Sequence, residues 1–99
     1  MARSLSIIAN EILSDFQREY REARVKHLET GKGKLPKQPE QKYVHAMAYV
    51  RPMLSLDSID DNYMMDSGRS VVAYALGNLT TWKGEKAREI KKELNAMLK

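Results

Sequence analysis

The chain has 99 residues, 42% hydrophobic and 30% charged, with a net charge of +4. That is room for one core, too little for a two-domain enzyme, and too apolar for global disorder. The absence of cysteine excludes a disulfide framework and a cysteine-ligated zinc site, and fits a reducing cytoplasm. Nothing approaches the roughly 18 apolar residues of a membrane span, and Asn10, Glu11 and Asp15 interrupt any export-signal core near the start. A cytoplasmic chain with no membrane partner is expected.

From Leu5 onward, Leu5, Ile8, Ile12, Phe16, Tyr20 and Ala23 recur every three or four residues, with Leu28 closing the stretch. This spacing predicts a long helix with one apolar stripe, and Ser4 is its expected N-cap. Glu11, Asp15, Arg18, Glu19, Arg21, Glu22, Arg24 and Lys26 lie off that stripe, so the outer face is expected to be solvated. Asp15 with Arg18 and Glu22 with Lys26 stand at helical pairing distances, worth only tenths of a kcal/mol each.

The run "ETGKGKLPKQPE" holds two glycines and two prolines, which predicts a basic, flexible loop at about residues 29–39. Its "GKGK" lacks the glycine spacing and the preceding strand of a phosphate-binding loop. Helical spacing resumes at Tyr43, Met47, Val50 and Leu54, with Val44 and Ala48 widening the stripe. Pro52 is expected to end or kink this element at Arg51.

In "SLDSIDDNYMMDSG", Asp57 or Ser58 could cap a short turn over Ile59 to Tyr63, and Asp66 or Ser67 could cap the next helix. There Val71, Val72, Ala75, Leu76 and Leu79 cover more than one stripe. It is expected to be the most buried helix, with Tyr74 needing a partner for its hydroxyl.

Thr80 or Thr81 is the expected cap of the last helix. Ala87, Ile90, Leu94, Met97 and Leu98 form its core stripe, with Arg88, Lys91, Lys92 and Lys99 on one flank and Glu85, Glu89 and Glu93 on the other. Carboxylates beside a basic strip repel phosphates, which favours an ordinary amphipathic helix over a nucleic-acid reading helix. Trp82 is expected to staple the helix start into the core. With no alternating strand pattern and no repeat, the prediction is an all-α, single-domain bundle of about four helices with the basic Gly/Pro-containing loop after the first.

No set of residues for chemistry emerges. Asp57, Asp60, Asp61 and Asp66 miss the EF-hand spacing and are better explained as caps and dipole partners. His27 and His45 lack a metal-ligand pairing, and Ser67 in "DSGRS" lacks the nucleophile-elbow spacing. No catalytic activity and no cofactor are expected. The candidate binding residues are the basic Arg18, Arg21, Arg24, Lys32, Lys34, Lys37, Arg88, Lys91 and Lys92, and the apolar pair Met64 and Met65, whose exposure would point to a partner or to self-association.

The stretch "SLDSIDDNYMMDSGRSVVAYALGNLTTWKGEKAREIKKELNAML" resembles small proteins encoded by phages and prophages. Tyr63, Asp66, Ser67, Asn78, Trp82, Lys83, Gly84, Arg88, Lys91, Glu93 and Leu94 carry the likeness, over less than half of the chain. The resemblance implies an accessory protein of a mobile genetic element acting in the host cytoplasm, and the longer loop at residues 29–39 departs from it. Three readings stand: a non-catalytic interaction protein that binds a host or phage macromolecule, with a protein partner or self-association expected; a nucleic-acid-binding module; and an oligomer that sequesters a small anionic ligand.

Overall fold

A computed structural model describes residues 3–99. Ser4 opens the first helix, α1 (Leu5–Thr30), its hydroxyl accepting from the Ser6 amide. Gly31 closes it in the left-handed conformation, φ 63°, with its N–H on the His27 carbonyl. Only glycine enters that region without strain, so the helix stops here, slightly beyond its expected end.

After the loop, a single turn, α2 (Pro39–Lys42), leads through Tyr43 into α3 (Val44–Met53). Pro52 does not end α3 at Arg51, since the helix runs on to Met53. It sits in the last turn, where the bonds Leu54 N to Arg51 O, Ser55 N to Pro52 O and Leu56 N to Met53 O tighten the chain end. The missing proline donor therefore falls where the helix is already ending.

The next segment departs from the expected helical turn. The Asp61 carboxylate accepts from the amides of Asp57 (2.9 Å) and Ser58 (3.0 Å), which folds residues 57–61 into a side-chain-bonded turn. A two-stranded antiparallel hairpin follows, β1 (Asn62–Tyr63) and β2 (Asp66–Ser67), pairing Asn62 with Ser67 and Tyr63 with Asp66. Met64 and Met65 form its two-residue tip.

Ser67 caps α4 (Gly68–Gly77) by accepting from the Ser70 amide, as the spacing predicts. The capping threonines expected ahead of the last helix do not act as such, because Trp82 must turn inward there. Its amide bonds to Leu79 O, and α5 (Glu85–Leu98) restarts only at Gly84.

The four main helices alternate in direction. Arg3 meets Glu93, Glu11 meets Lys86 and Asp15 meets Trp82, so α5 runs back along α1. The buried cluster includes Leu5, Ile8, Ile12, Phe16, Val50, Met53, Val72, Trp82, Ile90 and Leu94. At its lower end Phe16 stacks on Tyr43 with ring centroids 4.0 Å apart and meets Trp82 edge-on at 5.6 Å. Such pairs are worth about 0.5–1.5 kcal/mol each beyond area burial.

Three expectations about burial are corrected. Asp15 is not solvated but buried, since it lies three residues from Ile12 and one from Phe16 on the core-facing side of α1. Tyr74 is exposed and stacks on Tyr49 at 5.3 Å, so its hydroxyl does not require a partner within the protein. The apolar stripe of α1 also stops short: its last buried residue is Phe16, Tyr20 is half-buried, and Ala23 and Leu28 are exposed.

Candidate binding surface

The stripe stops short because its neighbours are too short. At ~1.5 Å per residue, the 26 residues of α1 span ~39 Å, whereas α3 and α4, ten residues each, reach ~15 Å and α5, with 14, ~21 Å. The last two to three turns of α1 project past the bundle, in keeping with a molecule 47 Å long and 25 Å by 18 Å across. We term residues 21–38, the projecting turns and the loop after them, the arm.

The arm carries the charge of the whole chain. Residues 21–38 hold six basic side chains, Arg21, Arg24, Lys26, Lys32, Lys34 and Lys37, against Glu22 and Glu29, an excess of four that equals the net charge of the protein. The remainder is neutral. All six basic residues are exposed, and among the described residues none of them forms an ion pair with a carboxylate. Interleaved with them are Val25, Leu28 and Leu35, 53%, 71% and 71% exposed. The loop start is held locally, by His27 Nδ1 against the Lys32 carbonyl (3.1 Å) and by the Thr30 hydroxyl donating to Lys26 O (2.9 Å).

Where the loop returns to the bundle, Phe16, Tyr20, Ala23, Pro36, Pro39 and Tyr43 line a mostly apolar groove of about 400 Å³, with Glu19, Lys37 and Lys42 as its charged members. Its floor is organised by Tyr43. The ring is buried, and the hydroxyl lies 2.9 and 3.0 Å from the two carboxylate oxygens of Glu19, which also accepts from Lys42 Nζ at 2.5 Å. Burial, and then the Glu19 carboxylate, raise the phenol pKa above its ordinary value, so Tyr43 stays a neutral donor.

The other sequence-selected cations fall elsewhere. Arg18 is at the arm's root and is already engaged: it bonds Asp15 at 2.9 Å and Glu22 at 2.7 Å, and the hydrogen bond to Asp15, followed by that to Glu22, raises its pKa. Lys91 is half-buried and donates to the Trp82 carbonyl at 2.5 Å; burial, and then neighbouring Lys83, pull its pKa below the usual lysine value. Arg88 and Lys92 are exposed on α5, and no hydrogen bond, ion pair or shared groove among the described residues joins them to the arm. The residues chosen from sequence thus separate into an arm set (Arg21, Arg24, Lys32, Lys34, Lys37) and scattered body positions.

Two further groups come from the structure alone. Arg3 donates to both carboxylate oxygens of Glu93, at 3.0 and 2.7 Å, and also pairs with Glu11. It ties α5 to α1 and uses one member of the acidic row. The Glu11 carboxyl is held below its ordinary pKa, first by the hydrogen bond from Arg3 and also by Lys86. Asp15 is the second: Trp82 Nε1–H donates to its Oδ2 at 2.8 Å, and Arg18 bonds its Oδ1. Each oxygen of this carboxylate has a partner, and the group braces the bundle end from which the arm projects.

Met64 and Met65 are 85% and 98% exposed. Met64 adopts φ 54°, a left-handed conformation that is costly for a residue with a side chain. Among the described residues, no three histidine, aspartate or glutamate side chains converge as a metal site, and no helix is long and apolar enough to cross a membrane.

Fold and surface define a class: a small all-helical protein whose most distinctive exposed feature is a projecting basic arm. Compared with models of protein families, with curated proteins and with solved structures, the chain matches none.

Proposed function

We propose that this is a non-catalytic binding protein that docks through the arm of residues 21–38 onto an acidic surface of a macromolecule. The observation that carries the reading is the coincidence of two facts: α1 outruns every helix that could cover it, and its uncovered turns together with the loop that follows them hold a charge excess equal to that of the whole chain. A helix end that neighbouring helices do not bury leaves its side chains free for a surface that covers it on binding.

The side chains favour a protein partner. Val25, Leu28 and Leu35 among arginines and lysines suit an acidic surface with apolar patches, because aliphatic groups buried beside charge-assisted bonds add affinity that a phosphate backbone does not return. The resemblance to phage-encoded proteins makes a host or phage protein in the bacterial cytoplasm the expected setting. Photo-crosslinking groups placed at Val25 or Leu28 should capture a partner from bacterial lysate, and Arg21→Glu with Arg24→Glu should abolish capture. Equal capture from a crosslinker placed at Arg88, or capture indifferent to the charge reversals, would contradict the proposal.

A second reading, nucleic-acid binding, is favoured by the charge concentration alone. If the arm neutralises several phosphates, affinity for DNA or RNA must fall steeply with salt. Fluorescence anisotropy with labelled oligonucleotides at low salt separates the two: tight, salt-sensitive binding supports this reading, and weak binding beside protein capture supports the first.

A further inference from the structure

The hairpin tip spends stability on exposure. Two-residue hairpin turns favour glycine, asparagine or aspartate wherever φ is positive, yet Met64 stands at φ 54° and both methionines face solvent. Neither side chain supports the fold, so the bundle does not explain them. Deformable apolar side chains on a short rigid turn are suited to insertion into a groove.

The surroundings state what kind of groove. Asp57, Asp60, Asp61 and Asp66 crowd the same ten residues, which contain no base, and among the described residues none of the four makes an ion pair. A matching receptor is apolar within and basic at its edge. This chain carries such a receptor: the groove beside the arm, lined by Phe16, Tyr20, Pro36 and Pro39, about 400 Å³ in volume and large enough for two aliphatic side chains. Lys42 there is already paired with Glu19, and Lys37 is the lining cation with no carboxylate partner among the described residues.

The two features cannot meet within one chain. The aspartate segment is fastened to the start of α1, where the Leu5 amide bonds Asp57 O at 3.0 Å and the Ser6 amide bonds Leu56 O at 2.8 Å. The groove belongs to the far half of the same helix, where Phe16, Tyr20 and Ala23 line it. One protomer is therefore acidic and apolar-tipped toward one end and basic and grooved toward the other.

We propose that the chain associates head to tail, the Met64–Met65 tip of one copy seating in the groove between α1 and the Pro36–Pro39 segment of the next, with Asp66 facing Lys37. Such a heterologous contact closes into a ring or continues as a chain, because the two surfaces in it are different. Assembly sets the arms out in a row, so that Arg21, Arg24, Lys32 and Lys34 of successive copies bind a repeating or extended partner with increased avidity. The contact itself stands on the hairpin and the groove, and holds whether or not the arm's own partner is a protein.

Sedimentation velocity across protein concentration and salt tests it. The wild type should associate at low salt and dissociate as salt shortens the Debye length. Met64→Asn with Met65→Ser, both at exposed positions, should be monomeric while keeping the helical circular-dichroism spectrum. The charge swap gives an independent readout: Asp66→Lys alone and Lys37→Glu alone should each be impaired, and an equimolar mixture should associate again, since each variant then offers the other a complementary tip and groove. A wild type that stays monomeric up to millimolar concentration at low salt, association unaffected by the methionine replacements, or a mixture no better than its parts would each overturn the proposal.

Discussion

Replacing Asp15 by alanine should be among the most damaging single changes in this protein. Asp15 Oδ2 is the acceptor, at 2.8 Å, for the indole N–H of Trp82, a side chain with no solvent exposure. Without it, the buried donor has no partner and no access to water, a cost of about 1–3 kcal/mol. The bond between Asp15 and Arg18 adds less, at most about 1 kcal/mol, because Arg18 is 46% exposed and its guanidinium can turn to water. The total of about 1–4 kcal/mol corresponds to a fall in Tm of roughly 4–30 °C for a domain of this size. Asp15→Asn keeps an oxygen acceptor for the indole and loses only the charge, so about 1 kcal/mol is expected. Thermal and urea unfolding followed by circular dichroism give both values, and a double-mutant cycle with Trp82→Phe isolates the shared bond. If Asp15→Ala unfolds within about 0.5 kcal/mol of the wild type, or if the cycle shows no coupling, the assignment of Asp15 as the brace between α1 and α5 is refuted.

Other expectations follow from single contacts. A Cβ at Gly68 would lie 2.8 Å from Ser58 O, 2.9 Å from Asp61 O and 3.0 Å from Ile59 O, all backbone atoms, so Gly68→Ala should cost about 1–3 kcal/mol in urea unfolding. Met64→Asn places a residue tolerant of positive φ at the hairpin tip and should raise stability by about 0.5–1 kcal/mol while weakening self-association, so stability and assembly should move in opposite directions. Because Arg3 holds the Glu11 carboxyl below its ordinary value, that contribution is complete above the usual carboxylate pKa of about 4.3 and is lost as pH falls through the depressed value. Glu11→Gln should accordingly flatten the acid limb of a stability-against-pH profile below about pH 4, with little change in its slope near neutrality.

How much of this was readable from the sequence depends on the distance between partners. The stripes of α1, α3, α4 and α5 gave the helices, and Ser4 and Ser67 were legible as caps because a cap bonds amides only two or three residues away. Asp15 was misplaced because its residue type suggests solvent, although its position, three residues after Ile12, faces the core. Its decisive partner lies 67 positions away. A partial signal did exist, since a tryptophan expected to staple a helix into a core must find an acceptor for its N–H. The two tip positions of the hairpin are methionines, not the glycine or asparagine that would announce a turn. Threonines 80 and 81 suited a cap by type, but the inward turn of Trp82 displaced the helix start to Gly84.

The candidate surface was legible in composition and not in shape. Arg21, Arg24, Lys32, Lys34 and Lys37 could be counted as a basic run, but Tyr20, Ala23 and Leu28 continue the apolar stripe of α1 and imply burial. Comparing helix lengths shows otherwise: three partners of 10, 10 and 14 residues cannot cover one of 26. Conversely, the three-residue spacing announces the pairing of Arg18 with Asp15, whereas Lys91 looks like its exposed neighbours in sequence and only the fold assigns it to the Trp82 carbonyl.

The central claim, that recognition resides in the arm, is tested most directly by mapping amide chemical shifts of the isotopically labelled protein during titration with polyglutamate, an acidic polypeptide, at low salt. Perturbations should concentrate in residues 21–38, fade as salt is added, and vanish in the Arg21→Glu, Arg24→Glu variant. Perturbations centred on Arg88 and Lys92 of α5, or spread evenly over the surface, would contradict it.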